Sequence, residues 1–186
     1  MCIQKTRLRQ TILLTLMTVS LTTARAQTLA AKTNLLNDVL LIPTLGAEYA
    51  VGSHSTLQLT GTYTPFAIDE HKWKNWSIQP EYRYWTQATF TGLFIGINAV
   101  VGGYNINKVR VGNLYDRQRQ GTMIGGGISM GYHHILSTRL SLEFVAAADY
   151  LHCTYDRYDG LTKEGRFRSD LILPLGTGIN LIYILK

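Results

Sequence analysis

The 186-residue chain predicts an all-β fold, an eight-stranded antiparallel up-and-down transmembrane β-barrel, on three observations. Segments of roughly ten residues alternate apolar and polar side chains with period two, which separates the two faces of a strand. Short turns alternate with long polar stretches between them, the pattern of a membrane barrel whose termini lie on the short-turn side. The apolar faces carry aromatic residues near both ends, while the polar faces carry Glu48, Glu81, Arg83, Glu143 and Asp149. That much charge does not suit an apolar ligand cavity, so the charged face is expected inside and lipid outside. A soluble lipocalin-like binding barrel is the alternative, because alternation by itself does not say which face is outside.

The elements follow in order. A first strand is expected at about residues 29–35 and a second at 44–51. Gly52-Ser53-His54 then turns the chain into a third, 56–64, where Leu57, Leu59 and Tyr63 alternate with Gln58, Thr60 and Thr62. The fourth, Trp76 to Trp85, is the clearest. It sets Trp76, Ile78, Pro80, Tyr82 and Tyr84 against Ser77, Gln79, Glu81, Arg83 and Trp85. Pro80 brings no N–H to a ladder in mid-strand, so a local bulge is expected there. A fifth strand is expected at 90–104, a sixth at 121–132, a seventh at 140–152 and an eighth at 171–183. The long connections are then 65–75, 105–120 and 153–170. Tyr63, Trp76 and Tyr150 fall at the loop rim, and Tyr49, Tyr84, Tyr132 and Tyr183 at the turn rim, as two interfacial rings.

The first 26 residues read as a leader rather than as part of this domain. Lys5, Arg7 and Arg9 precede an apolar run from Thr11 to Leu21, and Ala24-Arg25-Ala26 offers small residues for cleavage. The expected division is a signal peptide over 1–26 and an outer-membrane barrel domain over 27–186. The whole chain carries 18 basic against 12 acidic residues, +6; without Lys5, Arg7, Arg9 and Arg25 it is 14 against 12, +2. The pI near 9.4 therefore belongs largely to the leader and makes no case for nucleic acid. Cys153 is the one cysteine left after cleavage, so no intrachain disulfide is expected. No apolar run approaches a spanning helix, and a chain of this kind crosses a membrane only with strands.

Three stretches resemble one known set of exported proteins. They are Lys32-Thr33-Asn34-Leu35-Leu36, the K-W-K-N-W-S-I-Q-P-E-Y-R-Y-W block from Lys72 to Trp85, and Gly131-Tyr132 before a short turn. Together they resemble the Bacteroidetes-type small outer-membrane barrels grouped as domain-of-unknown-function family 3575. The resemblance spans essentially all of the chain after the leader. It implies a barrel of OmpA-like size and carries over no catalytic residue.

Lys32, Glu48, Glu81, Arg83 and Glu143 fall on polar faces near the turn rim and are expected to converge as a structural ion network filling the barrel. Buried charges are costly unless paired, and an eight-stranded barrel is just wide enough for its side chains to fill. Three acids against two bases leave one carboxylate to be protonated or bonded to Asn180. An enzyme would need a histidine, a nucleophile and an acid together. His152 and Asp149, with Thr154 and Ser169, are the nearest candidates, but a spacing of three puts His152 and Asp149 on opposite faces. His133-His134 likewise points two ways, which is poor metal-ligand geometry. Gly125-Gly126-Gly127 lacks the helix and lysine of a phosphate loop. No enzyme activity, cofactor or metal is therefore expected. In the loops, Lys108, Arg110, Arg117 and Arg119 are candidate contacts, since arginine binds phosphate bidentately. The expected partners are outer-membrane lipid, lipopolysaccharide and a surface or periplasmic protein, with the barrel itself a monomer. The role expected is structural or interactive at the cell envelope. A lipid-modifying enzyme is the runner-up.

Overall fold

The computed structural model describes residues 29–68, 71–107, 118–159 and 162–185; the expected leader lies outside them. The described chain runs β1 (Leu29–Asn34), α1 (Leu35–Val39), β2 (Thr44–Ala50), β3 (Ser55–Ile68), β4 (His71–Trp85) and β5 (Gly92–Asn107). It continues as β6 (Gln118–Ile135), β7 (Leu140–Asp159), β8 (Thr162–Leu173) and β9 (Gly178–Ile184). Every pairing is antiparallel, each strand with the next from β1 to β8, and β9 bridges β7 and β1. The result is a closed eight-stranded barrel whose eighth stave consists of two pieces, β8 and β9.

The register fixes the girth. From Ala30 it runs through Glu48, Gln58, Glu81, Asn98 and Gly127 to Asp149. In the other direction Ala30 meets Ile184, whose N–H donates to the carbonyl of Arg139. The two routes reach β7 at positions 149 − 139 = 10 residues apart. A stagger of that kind tilts the strands and leaves an interior that side chains can fill.

The strands differ from the expected ones chiefly on the long-connection side. β3 and β4 extend to Ile68 and from His71, and β7 with β8 forms a hairpin through most of the stretch expected as a loop. The inward apolar face there is short on each strand, ending at Tyr155 before Arg157 on β7 and broken by Ser169 on β8, and among so many charges it is too brief a period-two signal to announce a strand. At the opposite rim the turns are short. There Phe90, expected as the start of a strand, sits in the 86–91 turn at φ 60 and turns its ring into the barrel mouth.

No bulge forms at Pro80. The β4–β5 register is the same at Ile78↔Val101 and Glu81↔Asn98, and only the pairing of the two residues between them lapses. On the β3 side Pro80 pairs normally with Leu59. The missing N–H thus faces Ala99, and an unbroken register on the other side holds the strand straight.

The eighth stave breaks at residues 174–177, where the expected continuous strand folds inward. The Leu175 N–H donates to Asp149 Oδ2 at 3.1 Å, and Leu175 packs with Val100, Leu151 and Cys153. The Thr177 hydroxyl takes the place of a strand, accepting from the Ala147 N–H at 2.9 Å and donating to its carbonyl at 3.3 Å.

β1 stops at Asn34, whose side chain caps α1 by accepting from the Leu36 and Asn37 N–H groups, both at 3.1 Å. Above that level β1 and β2 contribute nothing to the sheet. The upper part is an open sheet of six strands, β3 to β8, whose outer edges are unpaired among the described residues.

Candidate functional site

Alternation along the staves points one set of side chains into the barrel, and these stack in layers. At the turn rim Trp85, Phe90 and Phe94 pack with Ile182, Ile184, Ala30 and Val145. The Trp85 ring lies 5.8 Å from Phe90 and 4.9 Å from Phe94. This aromatic layer closes the mouth. His133 is buried edge-on to Trp85 at 5.6 Å.

The ion layer rests on it. Lys32 on β1, Glu48 on β2, Glu81 and Arg83 on β4 and Glu143 on β7 come together, all buried. Lys32 Nζ lies 2.6 Å from Glu48 Oε2 and 3.2 Å from Glu143 Oε1, and donates to Gln58 Oε1 at 2.5 Å. The Arg83 guanidinium reaches three carboxylates: Glu143 at 2.9 Å, Glu81 at 3.0 Å and Glu48 at 3.3 Å. It also stacks over Phe94, 4.3 Å from the ring centroid. Neutral groups complete the coordination. Asn180 donates to Glu143 Oε1 at 2.8 Å, Ser129 donates to Glu81, and Thr56 donates to Glu48 Oε1 at 2.5 Å. Trp85 Nε1 donates to Thr56 at 3.0 Å, tying the aromatic layer to the ionic one. His133 Nδ1 stands 3.8 Å from Glu143 Oε2, beyond hydrogen-bond distance.

Space for these long side chains comes from small neighbours. A Cβ on Gly46 would lie 2.7 Å from Lys32 Cγ, and one on Gly96 would collide with the Glu81 carboxylate. Gly and Ser on the inward faces are therefore the complement of the charged residues.

Above the network Gln58, Thr60, Gln79 and Asn98 line a polar gap of about 40 Å³, room for a few water molecules. Over it lies a second apolar layer of Val100, Leu151 and Cys153 with Tyr104, Met123 and Leu175 packed against it. Apart from that gap, side chains fill the lumen between the two apolar layers. Among the described residues no group of three His, Cys, Asp or Glu side chains is placed to hold a metal.

Of the basic contacts expected in loops, Lys108, Arg110 and Arg117 lie outside the described residues. Arg119 is on β6 rather than in a loop, its guanidinium 5.5 Å from the Tyr155 ring. Other charges expected in the last loop are paired across the β7–β8 hairpin, Arg166 with Asp156 at 3.3 Å and Arg157 with Glu164 at 4.0 Å.

His152 and Asp149 do face opposite ways, and Asp149 belongs to the interior. The partner of His152 is Asp170, 2.7 Å away on the outer surface of β8. No serine or threonine hydroxyl bonds this ring among the described residues, and Ser169 faces inward beside Cys153. The His152–Asp170 pair was not legible from spacing, because it depends on the β7–β8 register. Gln58 and Thr56 were legible in principle, since both fall on the period-two face that carries Glu48 and Glu81.

These features define a closed antiparallel eight-stranded barrel with a charged, filled interior. The chain belongs to domain-of-unknown-function family 3575, whose model, described as a protein of unknown function, matches residues 11–185. No curated protein and no solved structure matches it.

Proposed function

We propose that the protein is exported by its leader and spans the bacterial outer membrane as a monomer, with a filled lumen and an outward-facing end that serves envelope structure or docking. The observation that carries this reading is an inverted distribution of polarity. Within the closed barrel Lys32, Glu48, Glu81, Arg83, Glu143 and Asp149 are buried, whereas Ile97, Ile128, Met130, Leu45 and Leu59 are all more than half exposed on the outer surface. Soluble proteins bury such residues, and a contiguous exposed apolar surface calls for another apolar phase.

The limits of that surface suit a bilayer. Tyr49, Tyr84, Tyr132 and Tyr183 are exposed near the turn ends of their strands, and Tyr63, Trp76 and Tyr150 are exposed higher up. Trp76 and Tyr84 are eight residues apart on β4. That separation is about 26 Å along the strand and about 20 Å of height at a tilt of about 40°. It approximates the apolar band of membrane barrels, with the two rings at its borders. A lipocalin-like binder needs a ligand cavity in the lumen, and the ion and aromatic layers occupy that space.

Ile128→Arg tests the placement, since Ile128 pairs with Ile97 in the middle of the band. In lipid vesicles it should lower unfolding free energy by about 2–4 kcal/mol, the midplane cost of arginine on a lipid face. Equal stability of variant and wild type would defeat the membrane reading, because a solvated position tolerates arginine. Heat-dependent gel mobility and membrane fractionation provide an independent check. In planar bilayers the filled lumen should give no steady conductance.

A further inference from the structure

We propose that the free edge of β8, from Arg166 to Leu173, is a docking site for one extended segment of another polypeptide, which adds to the sheet as a strand. The site rests on the membrane placement above, which puts this edge at the outer surface. Its geometry is independent of that placement.

Among the described residues β8 pairs only with β7. Alternate N–H and C=O groups along its other side have no neighbouring strand among those residues, because β1 ends at Asn34 far below. The edge that faces it across the cleft is treated differently. The Tyr63 N–H donates toward the β2 side, to the Pro43 carbonyl at 3.2 Å. Backbone groups two residues apart point the same way, so residue 65 would present its N–H to the cleft. Residue 65 is proline, which has none. Proline at a free edge blocks strand addition, and β3 is protected in this way. β8 contains no proline between Thr162 and Leu173. Its upper end is blunted instead by the register shift at Arg157/Tyr158 opposite Gly165, which leaves Arg166 to Leu173 open. One edge accepts a strand and the other refuses it.

The side chains agree. Phe167 and Leu171 share the inward face with Tyr155 and Leu151, yet they are 36% and 43% exposed because no wall stands opposite them. On the other face Arg168 and Asp170 alternate with them. The fitting occupant is a segment that alternates apolar residues, toward Leu171 and Phe167, with polar ones. An acyl chain has neither donors nor acceptors for the edge. A second copy cannot pair through the same edge in the same membrane. The two-fold axis relating antiparallel neighbours is normal to the sheet and would turn one barrel upside down. The chain's own β1 begins at the opposite rim, with Leu29 beside Tyr49, a barrel's height from this edge.

Strand addition draws affinity from main-chain hydrogen bonds, and the test targets those bonds. The full chain is folded in detergent micelles, with folding verified by heat-dependent gel mobility. It is titrated against a fluorescent nonapeptide of alternating valine and threonine and against the same peptide with N-methylated amides, read by anisotropy. The plain peptide should bind saturably. N-methylation, and separately Leu171→Asp in a barrel of unchanged gel mobility, should each weaken binding about tenfold or more. Equal binding of the N-methylated peptide, wild-type binding by L171D, or no saturable binding at millimolar peptide would each overturn the proposal. Failure of the membrane placement registers separately, in the fractionation and in Ile128→Arg.

Discussion

Replacing Arg83 by methionine asks whether the ion layer holds the barrel together or merely occupies it. The substitution keeps much of the aliphatic volume and removes a guanidinium that is 1% exposed and within 3.3 Å of Glu48, Glu81 and Glu143. Lys32 then remains as the one strong base against three carboxylates. Lys32 pairs with Glu48 and Glu143, and Glu81 is left to Gln58 and Ser129. Breaking a buried pair by removing one partner costs about 3–5 kcal/mol. That corresponds to roughly a 100- to 5,000-fold fall in the folding constant. Urea unfolding in lipid vesicles, followed by tryptophan fluorescence and heat-dependent gel mobility, measures it. Arg83→Met combined with Glu81→Gln should recover part of the loss, since it removes the carboxylate left without a base. An unfolding free energy for Arg83→Met within about 0.5 kcal/mol of wild type, the range of an inconsequential surface substitution, would refute the network as a stabilising element. A double variant less stable than Arg83→Met would show that packing, rather than charge, dominates.

Three further outcomes are expected. Thr177→Val keeps the shape but removes the hydroxyl that serves both backbone groups of Ala147, and should cost about 1–3 kcal/mol in the same unfolding assay; a neutral result would mean that water already serves there. Pro80→Val introduces an N–H facing Ala99, and hydrogen exchange should find the new amide as protected as its neighbours; rapid exchange would mean that the β4–β5 ladder is open beyond the proline. Phe90→Ala removes a buried ring from the mouth layer and should destabilise by about 3–5 kcal/mol, with loss of Trp85 fluorescence anisotropy as the plug loosens; unchanged stability would show that Phe90 is dispensable to that layer.

What could be read from the residues and what could not divides along a physical line. Where apolar and polar residues must alternate because two different environments flank the wall, the period announces the strand, as from Trp76 to Trp85. The ion layer was legible for the same reason, since a charged residue on the polar face of a narrow barrel has nowhere else to go. The upper half of β7 and β8 was not legible. Thr154, Asp156 and Tyr158 make one face of β7 polar or amphipathic, and the other face is apolar only at Cys153 and Tyr155 before it reaches Arg157, too short a run to distinguish a strand from a charged loop. His152 with Asp170 needs a cross-strand register that no local spacing supplies. The break at 174–177 was missed because Leu175 turns inward to an apolar layer that the charged residues below it do not imply. Phe90, expected as the start of a strand, has a positive φ that belongs to a turn, and a backbone angle leaves no mark in the residue pattern.

The same line explains why the molecule is closed below and open above. On the proposed placement the lower staves lie in lipid, where an unpaired backbone group costs several kcal/mol and every edge must be joined. The two places where the wall thins in that region satisfy their backbone without a neighbouring strand. α1 uses its own hydrogen bonds and the Asn34 cap, while presenting Val39, Leu40 and Leu41 outward. Ala147 uses the Thr177 hydroxyl. Higher up, water can satisfy a free edge, so closure is no longer required and β3 and β8 can part. An open edge invites association, and natural sheets usually obstruct it. Pro65 obstructs one of the two edges here, whereas the stretch from Arg166 to Leu173 is left clear beside exposed Leu171 and Phe167. The asymmetry is unnecessary for stability, since water would serve both edges equally well. It distinguishes a surface for strand addition from two fraying ends.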